Sequence, residues 1–279
     1  MADVLIVGCG YLGRVAAKRW ISQGNSVAAL TRSKSAELAT HGITTVNGNV
    51  LDQVSLKALP ATKTVLYAVG MDRTAGHSMR EVYVEGLKNV LTALPATNRL
   101  IYVSSTGVYG QAAGEWVDET APSVPLEASG QVVLEAETLL KSIRPDAIIL
   151  RFAGIYGPNR LLRKKPLLAG EPFVGDAEKW LNLIHVGDGA DAILAAESSG
   201  ISGQTYNVSD GTPVTRRDFY TYLAELLHAH AAKFEPPATP QTEPNRRVSN
   251  RKAREQLSFV PMYSSFREGL AAALAASDS

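Results

Sequence analysis

A chain of 279 residues allows one large domain or two smaller ones, and its 45% apolar and 20% charged residues exclude a disordered or collagen-like chain. With 28 basic against 27 acidic residues the net charge is +1, so no global field favours nucleic acid or a membrane surface. The single cysteine, Cys9, excludes an intramolecular disulfide, and five scattered histidines give no structural zinc pattern, which together point to a reduced, cytoplasmic setting.

Met1 to Gly8 carries Asp3 and no basic stretch, unlike a signal peptide, and no apolar run reaches the ~18–20 residues of a membrane span. Val4-Leu5-Ile6-Val7 ends at Gly8 and predicts a strand buried on both faces. Tyr11 to Gln23 follows with helical spacing. Leu12, Val15, Ala16, Trp20 and Ile21 form its apolar stripe, and Gly24-Asn25 closes it. Next come a strand at Ser26–Leu30, a short helix at Ser35–Thr40, a strand at Ile43–Val46 and a brief helix at Leu56–Leu59. A strand at Thr64–Val69, a long helix at Val82–Leu94, a strand at Leu100–Val103, a helix at Ser129–Ser142 and a strand at Ala147–Arg151 complete the series. This alternation predicts right-handed βαβ units in an α/β fold with a doubly wound parallel sheet.

After Arg151 the rhythm changes. Gly154, Gly157 and Pro158 interrupt it, and a basic stretch from Arg160 to Lys165 follows. A helix is predicted at Asp188–Glu197, a strand at Thr205–Val208 and a helix at Arg216–Ala229, with Thr212 or Thr215 as its N-cap. Pro236, Pro237, Pro240 and Pro244 predict a rigid, extended connector, and two helices near Arg251–Leu257 and Ser265–Ala275 end the chain. The second region reads as a smaller lobe leaning on the first.

Gly8-Cys9-Gly10-Tyr11-Leu12-Gly13 is G-x-G-x-x-G, directly after a predicted strand and opening a predicted helix. Gly8 permits the tight turn, Gly10 leaves room for a pyrophosphate, and Gly13 lets helix and strand pack closely. The N–H groups of Tyr11 and Leu12 and the helix dipole then face the phosphates. NAD binders place an acidic residue at the end of the second strand, but between Asp3 and Glu37 this chain has none. Arg32 offers a fork suited to a 2′-phosphate, and Thr31 and Ser33 add hydroxyl donors, which favours NADP over NAD. The structural alternative for Arg32 is a solvated surface residue. Cys9, at a helix start, is either a reactive thiol or a small residue filling a tight turn.

Five further segments carry a family likeness: Val84 to Leu91, Tyr102-Val103-Ser104-Ser105-Thr106-Gly107-Val108-Tyr109-Gly110, Leu150 to Pro158, Ile184-His185-Val186-Gly187-Asp188 and Tyr206-Asn207-Val208. In this order they resemble an extended short-chain dehydrogenase/reductase of the NAD-dependent epimerase/dehydratase family, over nearly the whole chain. The resemblance implies a Rossmann domain of residues 1–155 and about 183–200, with a C-terminal substrate lobe of about 156–182 and 201–279. It implies that Asn49 and Val50 flank the adenine, Asn49 bonding its amino group through the amide oxygen; the alternative for Asn49 is a turn asparagine. Ala68, Val69 and Gly70 end the fourth strand with small residues that let the backbone approach the cofactor. Ser104, Phe152 and Ile155 would lie near the nicotinamide. Ser105 would be the hydroxyl that orients substrate. Cations of the second region, which holds Arg160, Arg163, Lys164, Lys165, Arg246, Arg247, Arg251, Lys252 and Arg254, would meet a nucleotide diphosphate; the alternative is a solvated charged face.

The family's Tyr and Lys form a Y-x-x-x-K-x-x-x-E pattern, the Tyr acting as acid or base and the Lys lowering its pKa. Aligned on Leu134-Glu135-Ala136-Glu137, that pattern places Ser129 at the Tyr position and Val133 at the Lys position. No Tyr or Lys occurs between Val117 and Leu140, so no shift of register restores it. The remaining candidates for proton transfer are Tyr109, Tyr156 and His185. The sequence thus predicts an atypical NADP-binding, epimerase/dehydratase-like oxidoreductase acting on a small hydroxylated or sugar-nucleotide substrate. The alternative is a non-catalytic NADP-binding sensor or regulatory protein. Family precedent also implies a homodimer through Val82–Leu94 and Ser129–Ser142.

Overall fold

Strand-forming residues with no polar side chain to satisfy can be buried on both faces only in a sheet covered twice. Leu5, Ile6 and Val7 are fully buried in this way. The computed structural model describes residues 2–95, 99–238 and 242–277. Its centre is a seven-stranded sheet of β1 (Val4–Val7), β2 (Val27–Thr31), β3 (Thr44–Asn47), β4 (Thr64–Tyr67), β5 (Arg99–Ser105), β6 (Ile148–Phe152) and β7 (Thr205–Val208). The order is β7-β6-β5-β4-β1-β2-β3, and every neighbouring pair is parallel.

Helices α1 (Tyr11–Ser22), α6 (Val186–Ser199) and α8 (Arg251–Leu257) cover one face, packing Leu12, Ala16, Trp20, Ile193 and Leu257 into one core. Helices α3 (Gly86–Ala93) and α4 (Ala128–Ile143) cover the other with Leu87, Val90, Ala136 and Leu140. The short α2 (Ser35–Ala39) follows β2. A third core joins Phe173, Phe219, Tyr220 and Phe266, between α5 (Lys164–Leu168), α7 (Arg216–Leu226) and α9 (Phe266–Ala275). Within it Phe173 and Tyr220 stack with ring centroids 4.1 Å apart.

Three departures from the sequence reading have local causes. Thr205–Val208, placed with the lobe, instead forms the seventh strand of the main sheet, where Tyr206 and Val208 join the core under α8. The helix expected from Val82 opens as a wide π turn at Glu81–Glu85, and only Gly86–Ala93 is α-helical. The helix from Arg216 ends at Leu226, before the left-handed His228. Of the two candidate caps for α7, Thr215 serves: its Oγ1 accepts from Asp218 N at 3.1 Å. Pro236, Pro237 and Pro244 lie beyond the short strand Phe234–Glu235; Pro240 falls outside the described residues.

Candidate functional site

The strand order reverses between β1 and β4, and ligands of open parallel sheets bind outside the carboxyl ends of the strands at such a point. A cavity of about 860 Å³ opens there, within the ~300–1,000 Å³ usual for small-molecule sites. Gly8 turns the chain at φ +96°, and a Cβ on it would stand 2.5 Å from the Ala68–Val69 backbone. A Cβ on Gly10 would meet nothing within 4 Å, so it would project into open space. One on Gly13 would strike Gly8 O at 2.7 Å, which is why helix and turn pack so closely. No side chain caps α1 and no acid occupies its first turn, so its N–H groups are left to the cavity. These features fit a dinucleotide pyrophosphate. Cys9 is buried in the turn, and desolvation pushes its thiol up to about 11, so it fills space as a neutral group.

Thr31, Arg32, Ser33 and Lys34 line one end of the cavity, opposite Asn49 and Val50. Thr31 Oγ1 caps the turn by accepting from Lys34 N at 3.0 Å. Arg32 reaches Asp72, at 2.8 Å, across the cavity mouth. Bonds from Thr74 and then from Arg32 hold the Asp72 carboxyl down to about 2. Asn49 Oδ1 accepts from Leu51 N at 3.1 Å, so part of its capacity closes a turn. Tyr11 Oη donates to Pro158 O at 2.9 Å, and the Arg160 guanidinium lies over its ring. Ala68, Val69 and Gly70 form the middle of the wall; Ser104, Ser105, Phe152 and Ile155 form the other end. Ser105 Oγ accepts from Gly107 N at 3.0 Å, which leaves its own hydrogen to donate.

Residues 4–209 match the NAD dependent epimerase/dehydratase family. The chain belongs to that family. Protein YeeZ of Escherichia coli K12 is 28% identical over 244 residues, spanning 84% of this chain and 87% of its own. A dTDP-6-deoxy-L-talose 4-dehydrogenase (NAD(P)(+)) of Kitasatospora kifunensis is 24% identical, spanning 91% of this chain and 89% of its own. A DesIV double mutant (dTDP-glucose 4,6-dehydratase) of Streptomyces venezuelae, solved with NAD bound, shares the fold with a TM-score of 0.84 at 21% identity, covering 98% of this chain and 95% of its own. This is an NAD(P)-binding oxidoreductase family of the extended short-chain dehydrogenase/reductase type.

Against the family pattern, Ser129, Gly130 and Val133 stand on the cavity wall at the start of α4, beside Ser105 and Gly107. A Cβ on Gly130 would lie 2.4 Å from Gly107 O, so helix and loop touch through backbone there. One turn on, Glu137 is buried against Arg151, whose Nη2 and Nε donate to the two carboxylate oxygens at 2.7 and 2.9 Å. Ser104 Oγ donates to the same carboxylate at 2.6 Å, so this hydroxyl is committed inside the wall.

The three proposed proton carriers do not line the cavity. Tyr109 Oη accepts from Arg151 Nη1 and donates to Asn207 Oδ1, both at 2.9 Å, and burial pushes its phenol up. Tyr156 is fully buried, with Oη lacking a partner among the described residues, and burial pushes its phenol well above the usual range. His185 Nδ1 caps α6 by accepting from Gly187 N at 3.2 Å, and desolvation pulls its pKa down to about 4. The cavity wall instead carries Lys34, Asp72, His77 and Tyr83, which the sequence reading did not single out. Lys34 lies two residues past Arg32, so its place on this wall follows from the same strand end. Asp72 and His77 come from the stretch before the expected Val82–Leu94 helix, which has no periodicity to place it, and Tyr83 from the start of that helix.

Asp210 lies close enough to Tyr156 to act on it, and burial pushes its carboxyl up to about 7. Its folded-state pKa exceeds the unfolded one, so its contribution to stability is present in acid and is lost as pH rises from the ordinary carboxylate range to about 7. Asp210→Asn removes that loss. The variant is expected to gain on the order of 1–3 kcal/mol relative to wild type between about pH 5 and pH 8. Urea unfolding at the two pH values reads this; an unchanged difference would refute it. His185 titrates in both proteins and cancels.

Proposed function

We propose that this chain is an NADP-dependent oxidoreductase of epimerase/dehydratase type acting on a small hydroxylated or sugar-nucleotide substrate. The cationic end of the cavity carries this reading: Arg32 and Lys34, with the hydroxyl of Ser33, stand where the second ribose would lie, and β2 ends without an acid. Arg32 would exchange Asp72 for the 2′-phosphate or share its fork between them. The first-turn N–H groups of α1 would hold the pyrophosphate. When bound, the nicotinamide supplies hydride donation or acceptance. Ser105, whose Oγ is held by Gly107 N, would donate its hydrogen to a substrate oxygen. The sugar-nucleotide class is supported by the names of relatives such as the dTDP-6-deoxy-L-talose 4-dehydrogenase.

Calorimetric titration with NADP, NADPH, NAD and NADH tests the cofactor. NADP(H) is expected to bind at least tenfold more tightly than NAD(H), a difference of about 1.4 kcal/mol, and Arg32→Ala is expected to erase it. Equal affinities in the wild type would overturn the Arg32 reading.

A second reading, a non-catalytic NADP sensor, is supported by one observation: Ser129 and Val133, which the sequence pattern aligns with the family's Tyr and Lys, line the cavity and neither can move a proton as that pair does. General acid–base help is worth about 10²–10⁴ in rate. NADPH oxidation against a panel of carbonyl compounds separates the two. Turnover supports the enzyme; tight binding with none supports the sensor.

A further inference from the structure

The phenol of Tyr83 stands on the cavity wall with its hydrogen unspent. Tyr83 sits in the wide π turn at Glu81–Glu85, just ahead of α3. Single π turns of this kind recur at functional sites. The ring packs, with Met79, against a core that includes Val108 and Val133, so one side of it is fixed by apolar contact. At the other end the backbone N–H of Met71 donates to Tyr83 Oη at 3.1 Å. A hydroxyl that accepts in this way keeps its own O–H to give. Among the described residues no group accepts that hydrogen. Val133 of the same core offers no donor, and the nearby wall hydroxyl of Ser104 is spent on Glu137.

The anchor of Tyr83 has a definite place along the sheet. Four adjacent strands run in the order β2, β1, β4, β5, and neighbours in a sheet lie about 4.8 Å apart. Arg32 follows β2, and the glycine turn and the N-terminus of α1 follow β1. Met71 comes next to Gly70 beyond β4, and Ser105 ends β5. All four positions line the one cavity.

We propose that Tyr83 Oη donates its hydrogen to a hydroxyl of the ribose that carries the nicotinamide, and so orients that half of the cofactor from the α3 and α4 side. The assignment follows from matching two orders. A dinucleotide carries its adenine-side ribose, pyrophosphate, second ribose and nicotinamide in that sequence. With the first at β2 and the pyrophosphate at β1, the second ribose falls to β4, where Met71 holds Tyr83, and the ring falls to Ser105 at β5. The proposal deepens the oxidoreductase reading and rests on it for the cofactor.

The test uses the full chain, titrated calorimetrically with NADPH, NADH, ADP-ribose and ADP. ADP-ribose keeps the second ribose without the nicotinamide, and ADP lacks both. Tyr83→Phe, which keeps the ring, is expected to weaken the dinucleotides and ADP-ribose about fivefold, the loss of one hydrogen bond, and to leave ADP within about twofold. A merely structural role would move ADP as well. Thermal melts check that the variant folds. If it does not, the wild type decides, with ADP-ribose expected to bind at least about fivefold more tightly than ADP. Unchanged ADP-ribose affinity in Tyr83→Phe, an equal loss for ADP, or equal wild-type affinities for ADP-ribose and ADP would overturn the assignment while leaving the oxidoreductase reading in place. Binding of neither dinucleotide by the wild type would instead overturn that reading, and this assignment with it.

Discussion

Glu137→Ala is expected to lower the stability of this protein by about 3–5 kcal/mol, the usual cost of stranding a buried charge. Glu137 is 1% exposed, and the side chain of Arg151 only 6%. Two charge-assisted bonds join them, Ser104 adds a third bond to the same carboxylate, and Arg151 continues to Tyr109 and Asn207. Removing the carboxylate leaves a guanidinium and a hydroxyl unanswered inside the wall that also carries Ser105. A domain is stable by only about 5–15 kcal/mol, so the loss is a large share of the whole. Urea unfolding monitored by circular dichroism measures it, and a loss below about 1 kcal/mol would show that the pair is not a structural tie. The paired variant Glu137→Met with Arg151→Met is expected to recover at least half of the loss, because two apolar chains of similar length leave no charge behind.

The second large effect falls on binding and spares the fold. Gly10→Val is expected to reduce dinucleotide affinity on the order of a hundredfold or more, or ~3 kcal/mol, with the melting temperature nearly unchanged. A Cβ there meets no protein atom within 4 Å, so the fold has room for the side chain. The space it would fill is where the proposed dinucleotide's pyrophosphate would approach the N-terminus of α1. Gly8→Ala makes the contrast. Its Cβ would stand 2.5 Å from the Ala68–Val69 backbone at φ +96°, so both stability and binding are expected to fall. Unchanged affinity in Gly10→Val would sink the phosphate-loop assignment.

Much of the sheet was legible because its signals are local. A β-branched run such as Val4–Val7 can be satisfied only by burial on both faces, and a G-x-G-x-x-G between strand and helix has few other uses. The cationic end of the cavity was legible for the same reason: Arg32 and Ser33 directly follow β2, and the absence of an acid there needs no partner to be seen. The likeness to the family rested on short segments in fixed order and extended to Ser105. That no Tyr or Lys lies between Val117 and Leu140 was equally plain, since it is a matter of composition.

What only the tertiary structure decided depends on residues distant in sequence meeting. Tyr109, Tyr156 and His185 were reasonable as proton carriers while only their types and neighbours were known. The fold turns Tyr109 toward Arg151 and Asn207, spends His185 on a helix cap and buries Tyr156 beneath Gly269. It brings His77, from a stretch without periodicity, and Tyr83, from the turn that opens the expected Val82–Leu94 helix, onto the cavity wall. It draws Thr205–Val208 into the main sheet because β6 offered an edge that its apolar residues could cover. Arg246 reads in the sequence as one cation among several on a charged face; the fold sets its guanidinium against the carbonyl of Thr106, 140 positions away. Composition and spacing dictate which segments must be buried and which loop can hold phosphate, because those are properties of neighbouring residues. Which charges are paired, and which face the cavity, follows from packing alone.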